Sequence, residues 1–189
     1  MAQSNPERLS LRAPVFETIN VRDGVVLRPL EGADAHQLLA ILDADPSIRE
    51  RVGVASGLHT PGDVVKLVAA EQGDDELIRY AIVENEHVVG LMNFWRAGEF
   101  FGDKAEPDDY GFGYFLAPSA RGRGLVTDSL QAIMTVAAAH LPIRRFIAFC
   151  EADNQASGAV LKKAGFTPSG TAWHDDEHGW TEQKYLKNI

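Results

Sequence analysis

The run Gly113-Tyr-Phe-Leu-Ala-Pro-Ser-Ala-Arg-Gly-Arg-Gly-Leu-Val-Thr127 constrains this chain more than any other segment. It reads as a strand, an Arg/Gly turn and the first turn of a helix. Gly122 and Gly124 let the backbone turn tightly and place no side chain in the path of an approaching anion. The amides that follow, at Leu125, Val126 and Thr127, open a helix, so their free N–H groups and the positive end of the helix dipole face outward. Arg121 and Arg123 add planar donors suited to phosphate oxygens. A phosphate-bearing ligand is the natural occupant of such a turn. It is not a nucleotide P-loop, because no Gly-x-x-x-x-Gly-Lys-Ser/Thr run occurs. Nor is it a dinucleotide fingerprint, because Gly122-x-Gly124 continues to Thr127 where a third glycine belongs.

The rest of the chain predicts a mixed sheet wrapped by helices. Residues 1 to about 20 carry no sustained periodicity and read as a tail, leaving 21–189 as a single domain. Val25–Leu30 reads as an opening strand, and Asp34 begins a helix whose Leu38, Leu39, Ile41 and Leu42 share a side. Thr60-Pro61 starts a second helix. Ile78–Val83 and Val88–Trp95 flank a hairpin turn at 84–87, and Tyr110–Leu116 is the next strand. The polar stretch 97–108 between them reads as a loop over a site. Beyond the Arg/Gly turn, Val126, Leu130, Ile133, Met134 and Ala137 make one apolar stripe up to Pro142. A strand over 144–150 leads to a helix capped by Asp153 or Asn154, with Ala156, Ala159, Val160 and Ala164 expected to face inward. Strands at 167–173 and 181–186 close the chain.

Composition narrows the function classes. A chain of 189 residues, 45% hydrophobic, buries one sizeable core. A formal charge of −9 disfavours nucleic acid as a partner. No apolar run reaches the roughly 20 residues needed to cross a bilayer, so no membrane partner is expected. Cys150 is the only cysteine, which excludes an intrachain disulfide and fits the cytoplasm. Following the apolar run 146–149, it reads as a small core residue. His174 and His178 flank acids, but Gly179 points to a turn, so no metal site is expected.

A second motif, Asn154-Gln-Ala-Ser157-Gly-Ala-Val-Leu161-Lys-Lys-Ala-Gly165-Phe166, follows the first by about thirty residues. Together the two resemble the GNAT superfamily of acyl-CoA-dependent N-acetyltransferases. The Arg121–Val126 run matches its pyrophosphate loop, and the second motif resembles the ribosomal-protein-alanine acetyltransferase branch. The resemblance is dense from about Tyr110 to Pro168 and implies an α/β (α+β) GNAT fold. That fold has a central, mostly antiparallel mixed sheet of about seven strands flanked by about four helices.

The resemblance further implies acetyl-CoA as cosubstrate, with its pyrophosphate on Arg121, Gly122, Arg123, Gly124, Leu125, Val126 and Thr127. Its pantetheine would run beside backbone groups near Phe115 and Leu116, with Asn154 at the head of the second helix also at the cofactor. The acceptor would be a primary amine, most directly a protein or peptide N-terminus. Alternatives are a small-molecule amine, another donor such as succinyl-CoA, or an acyl-CoA-binding module without turnover. Many members carry a Tyr where Leu161 stands; the branch instead places Ser at Ser157, either as a hydrogen-bond donor to the leaving thiolate or as a helix cap. The strand carboxylate common in the family is Gly111 here, which leaves room for a bulkier acceptor or a water. Asp176 and Glu177 are the next candidates for the base, set against a solvated acidic turn. Phe94, Trp95, Phe100 and Phe101 are candidates for an acceptor pocket wall or for sheet packing. An exposed sheet edge near the C-terminus offers a surface for a homodimer.

Overall fold

The computed structural model describes residues 10–98, 105–175 and 180–189, with backbone alone for 171–175 and 180. The strands are β1 (Ile19–Arg22), β2 (Val25–Pro29), β3 (Leu77–Glu84), β4 (His87–Arg96), β5 (Asp109–Leu116), β6 (Arg145–Glu151), β7 (Thr167–Asp175) and β8 (Trp180–Asn188). They form an 8-stranded sheet in the order β1-β2-β3-β4-β5-β6-β8-β7. The described α-helices are α1 (Ala35–Ala44), α2 (Ser47–Arg51), α3 (Gly53–Ser56), α4 (Pro61–Ala70), α5 (Leu125–His140) and α6 (Gln155–Lys163). Neighbouring strands are antiparallel except β5 and β6, which run parallel. A parallel pair needs a crossover, and α5 supplies it.

Strand alternation feeds a core on each face of the sheet. Met92 and Phe94 of β4 and Phe112 of β5 pack with Leu130, Ile133 and Met134 of α5. Leu91 and Phe115 turn the other way, onto Leu38 and Leu42 of α1 and Val64 of α4. Local chemistry sets the element ends. Thr60 Oγ1 accepts from the Asp63 amide at 3.3 Å while Asp63 accepts from the Thr60 amide at 2.8 Å, with Pro61 in the first turn. The β3–β4 hairpin turns through Asn85 and Glu86 at φ 47 and 69, the positive angles its two-residue loop needs. Arg28 holds Asp34 with two bonds of 2.8 and 2.7 Å, fastening the entry of α1 to β2.

The fold class agrees with the sequence reading and adds elements to it. Residues 10–20 are not a tail: Leu11 and Phe16 are fully buried, and β1 follows directly. Tyr80 donates to the Phe16 carbonyl at 2.8 Å, and Arg12 donates to the carbonyls of Glu71 and Asp74 at 2.9 and 3.2 Å. Two isolated apolar anchors held by backbone contacts leave no period to read. The short helices α2 and α3 escaped for the same reason, being too brief to show a 3.6-residue repeat. Phe100 and Phe101, in the expected loop, lie outside the described residues.

Candidate active site

The parallel junction of β5 and β6 is brief. Asp109, Tyr110 and Gly111 pair with Arg145, Phe146 and Ile147, whereas β5 stays paired to β4 as far as Leu116. From Phe112 onward the two strands splay. The Ala117 amide donates to Val89 O at 2.8 Å, which sets the alternation: odd residues of β5 bond to β4, and the peptide groups of Tyr114 and the N–H of Leu116 turn away from β4 toward the gap. Of the two backbone positions expected at the cosubstrate, Leu116 thus turns its amide to the gap, while its carbonyl accepts from Arg121. Phe115 directs its peptide groups toward β4.

The splay opens into a cleft of about 740 Å³ lined by Tyr114, Phe115, Leu116, the turn at Arg121, Gly122 and Gly124, and the first turn of α5. Gly122 and Gly124 sit at φ 74 and 80, the left-handed region that glycine enters freely. A β-carbon at Gly122 would meet nothing within 4 Å. Leu125 and Val126 are buried and belong to the core cluster. Their positions at the start of α5, with Thr127, line the cleft wall.

The two arginines of the turn part ways. Arg121 borders the cleft, where it pairs with Asp45 at 2.6 Å and donates to the Leu116 carbonyl at 3.2 and 3.0 Å. Asp45 stays below the usual aspartate range, held there by the Ser47 hydroxyl and then by Arg121. Arg123 is turned onto Glu84, which it grips with bonds of 2.8 and 2.6 Å. The opposite wall comes from Asp45, Ser47, Ile48, Arg51 and Val52, and Lys163 joins from the end of α6. Lys163 belongs to the second sequence motif, whereas Asp45, Ser47, Ile48, Arg51 and Val52 were marked by none, because they come from the end of α1 and the short α2.

Ser157 lines the inner wall on the first turn of α6. Asn154 supplies the cap, accepting from the Ser157 amide at 3.0 Å, and it also borders the cleft. The Ser157 hydroxyl is therefore spared for other work, and lies 2.9 Å from the Tyr114 hydroxyl. Burial pushes the Tyr114 pKa up to about 12, against a smaller lowering by Ser157. Behind them Cys150 is buried in the core as expected, and burial raises its thiol. The inward face of α6 agrees with the sequence reading in part: Ala164 is buried and Val160 packs partly against the core, joined by Gly158 and Leu161, while exposed Ala156 and Ala159 line the cleft. Alanine suits either environment, so its periodicity located the stripe without its direction.

The space at Gly111 is not open. The Trp95 indole of β4 lies over it, and a β-carbon there would stand 2.8 Å from Trp95 Cε2. The expected room for a bulkier acceptor is thus taken by a side chain. Phe94, by contrast, packs in the core against Tyr110 and Phe112. Asp176, Glu177 and His178 lie outside the described residues, as does the side chain of His174.

The sequence matches the acetyltransferase (GNAT) domain family over residues 25–167. The chain belongs to this family and is an N-acetyltransferase. It is 31% identical over 91 residues to the ribosomal-protein-serine acetyltransferase of Escherichia coli (strain K12), a match spanning 48% of each chain. Its fold resembles RimL, a ribosomal L7/L12 alpha-N-protein acetyltransferase in complex with coenzyme A, at TM-score 0.78, with 23% identity over 92% of this chain and 98% of that one. It equally resembles the microcin C7 self-immunity acetyltransferase MccE in complex with acetyl-CoA and AMP, at TM-score 0.77, with 19% identity over 92% and 97%.

Proposed function

We propose that the cleft binds acetyl-CoA and transfers its acetyl group to a primary amine, most directly the N-terminal amine of a protein or peptide. One observation carries this reading: the glycine turn at the head of α5, the edge of β5 that turns away from β4 and Ser157 line a single cleft. The pyrophosphate would take the amides of 122–127 together with Arg121, which must then exchange Asp45 for phosphate. The pantetheine amides would bond to the gap-facing peptide groups of Tyr114 and the amide of Leu116, as a strand would. The same N–H groups suit the oxyanion formed when the amine attacks the thioester.

A primary amine is mostly protonated near pH 7, so a base or water chain must remove a proton before attack. Asp176 and Glu177 remain our proposed bases. Ser157 would donate to the sulfur as it leaves. The cytoplasm is the proposed setting. A small-molecule amine is the second reading, favoured by the similarity in fold to the MccE complex that holds AMP. Thiol release from acetyl-CoA over peptides with free N-terminal Ala, Ser or Met, polyamines, aminoglycosides and aminoacyl nucleotides tests both readings. Turnover confined to the peptides supports the first and turnover confined to the small amines the second. No thermal shift with coenzyme A would end the acyl-CoA reading.

A further inference from the structure

We infer that Tyr114 is a positioning residue that aims the Ser157 proton at the leaving sulfur; this rests on the acyl-transfer reading. A serine hydroxyl has one proton and two lone pairs. With the Ser157 amide satisfied by Asn154, the hydroxyl answers to Tyr114 at 2.9 Å and to the buried Cys150 thiol. Either oxygen of the Tyr114–Ser157 pair is able to donate. Burial keeps Tyr114 protonated far above neutral pH, so it always has a proton to give. When it gives that proton to a Ser157 lone pair, the Ser157 proton is free to point elsewhere. Both residues line the cleft proposed for the thioester, so a sulfur seated beside Ser157 would meet that proton.

The balance is simple. The amine nitrogen forms the new C–N bond, the C–S bond breaks and its electron pair stays on sulfur. The proton lost by nitrogen equals the one finally gained by the thiol. Tyr114 keeps its own proton throughout and stabilises the sulfur charge through Ser157, without touching the reacting atoms.

The test is a double-mutant cycle on thiol release, at saturating amine and acetyl-CoA, with coenzyme A binding followed by thermal shift. Tyr114→Phe keeps the ring and should lower kcat about tenfold, the loss expected for one hydrogen bond to a developing charge. Its KM for acetyl-CoA should stay within about twofold of wild type. Ser157→Ala should cost at least as much, and the double variant no more than Ser157→Ala alone. An unchanged Tyr114→Phe rate, a loss confined to KM, or a Tyr114→Phe loss that persists in full without Ser157 would each overturn the assignment. If wild type binds coenzyme A but turns over no amine, the transferase reading itself falls and takes this assignment with it. Wild-type turnover with an unaltered Tyr114→Phe enzyme removes the assignment alone.

Discussion

Trp95 lies so close over Gly111 that a β-carbon on the glycine would stand 2.7 Å from the indole Nε1. The two residues are cross-strand partners on β4 and β5, so the contact is set by register. The absence of a strand carboxylate at position 111 and the presence of an indole at 95 are therefore one feature of the site.

Gly111→Ala should destabilise the fold by about 1–3 kcal/mol, the usual cost of overpacking a filled site. In a Trp95→Ala background the same substitution should cost far less. Urea denaturation of the four variants measures the coupling, and equal costs in both backgrounds would show that the indole does not set the limit.

Asp45→Asn should tighten binding of coenzyme A, because it removes a negative charge from the cleft and releases Arg121 from its 2.6 Å partner. Arg121→Ala should weaken binding about tenfold, as expected for one charge-assisted contact. Arg123→Ala should weaken it much less, since Arg123 is turned onto Glu84. Calorimetric titration separates these cases; an equal loss at both arginines would mean that Arg123 leaves Glu84 when coenzyme A binds.

Alkaline stability should report on Tyr114. Its pKa is about 12 in the folded protein against an ordinary 10.0, so the folded chain holds a proton that the unfolded chain releases. Its contribution is intact below pH 10 and is lost as pH rises toward 12, at no more than about 1.4 kcal/mol per pH unit. Tyr80, raised by burial as well, adds to the same slope. Unfolding midpoints followed from pH 8 to 11.5 should fall less steeply in Tyr114→Phe, and parallel curves would contradict the shift.

Arg145→Ala should destabilise the protein by about 3–5 kcal/mol, because it strands a buried carboxylate. Asp109 is fully buried and accepts both Arg145 bonds at 2.7 Å, at the first rung of the β5–β6 junction. Asp109→Asn in the same background should recover part of the loss in thermal melts; no recovery would argue against a stranded charge.

Much of this was legible in the sequence where one residue type serves one purpose. Gly122 and Gly124 do have positive φ, Asn154 does cap α6, and Val126 to Ala137 do form the buried stripe. Features that depend on pairing across the sheet were hidden. Neither the Trp95–Gly111 contact nor the Tyr114–Ser157 bond has a signature along the chain, because each follows from register or from the placement of α6. The split between Arg121 and Arg123 depends on Asp45 and Glu84, far away in sequence. The exposed Ala156 and Ala159 were misdirected because a methyl group carries too little preference for either side of a helix.

The opening between β5 and β6 has a consequence for self-association. A strand with unsatisfied peptide groups on an outer edge invites pairing with other chains. Here those groups sit inside the sheet, with β4 on one side and β6 and β8 on the other, and Tyr114 meets Ser157 across the mouth. A second polypeptide would have to enter between strands that close at the Gly111–Ile147 rung. The peptide groups that β5 turns away from β4 thus face the interior of the sheet and not its rim.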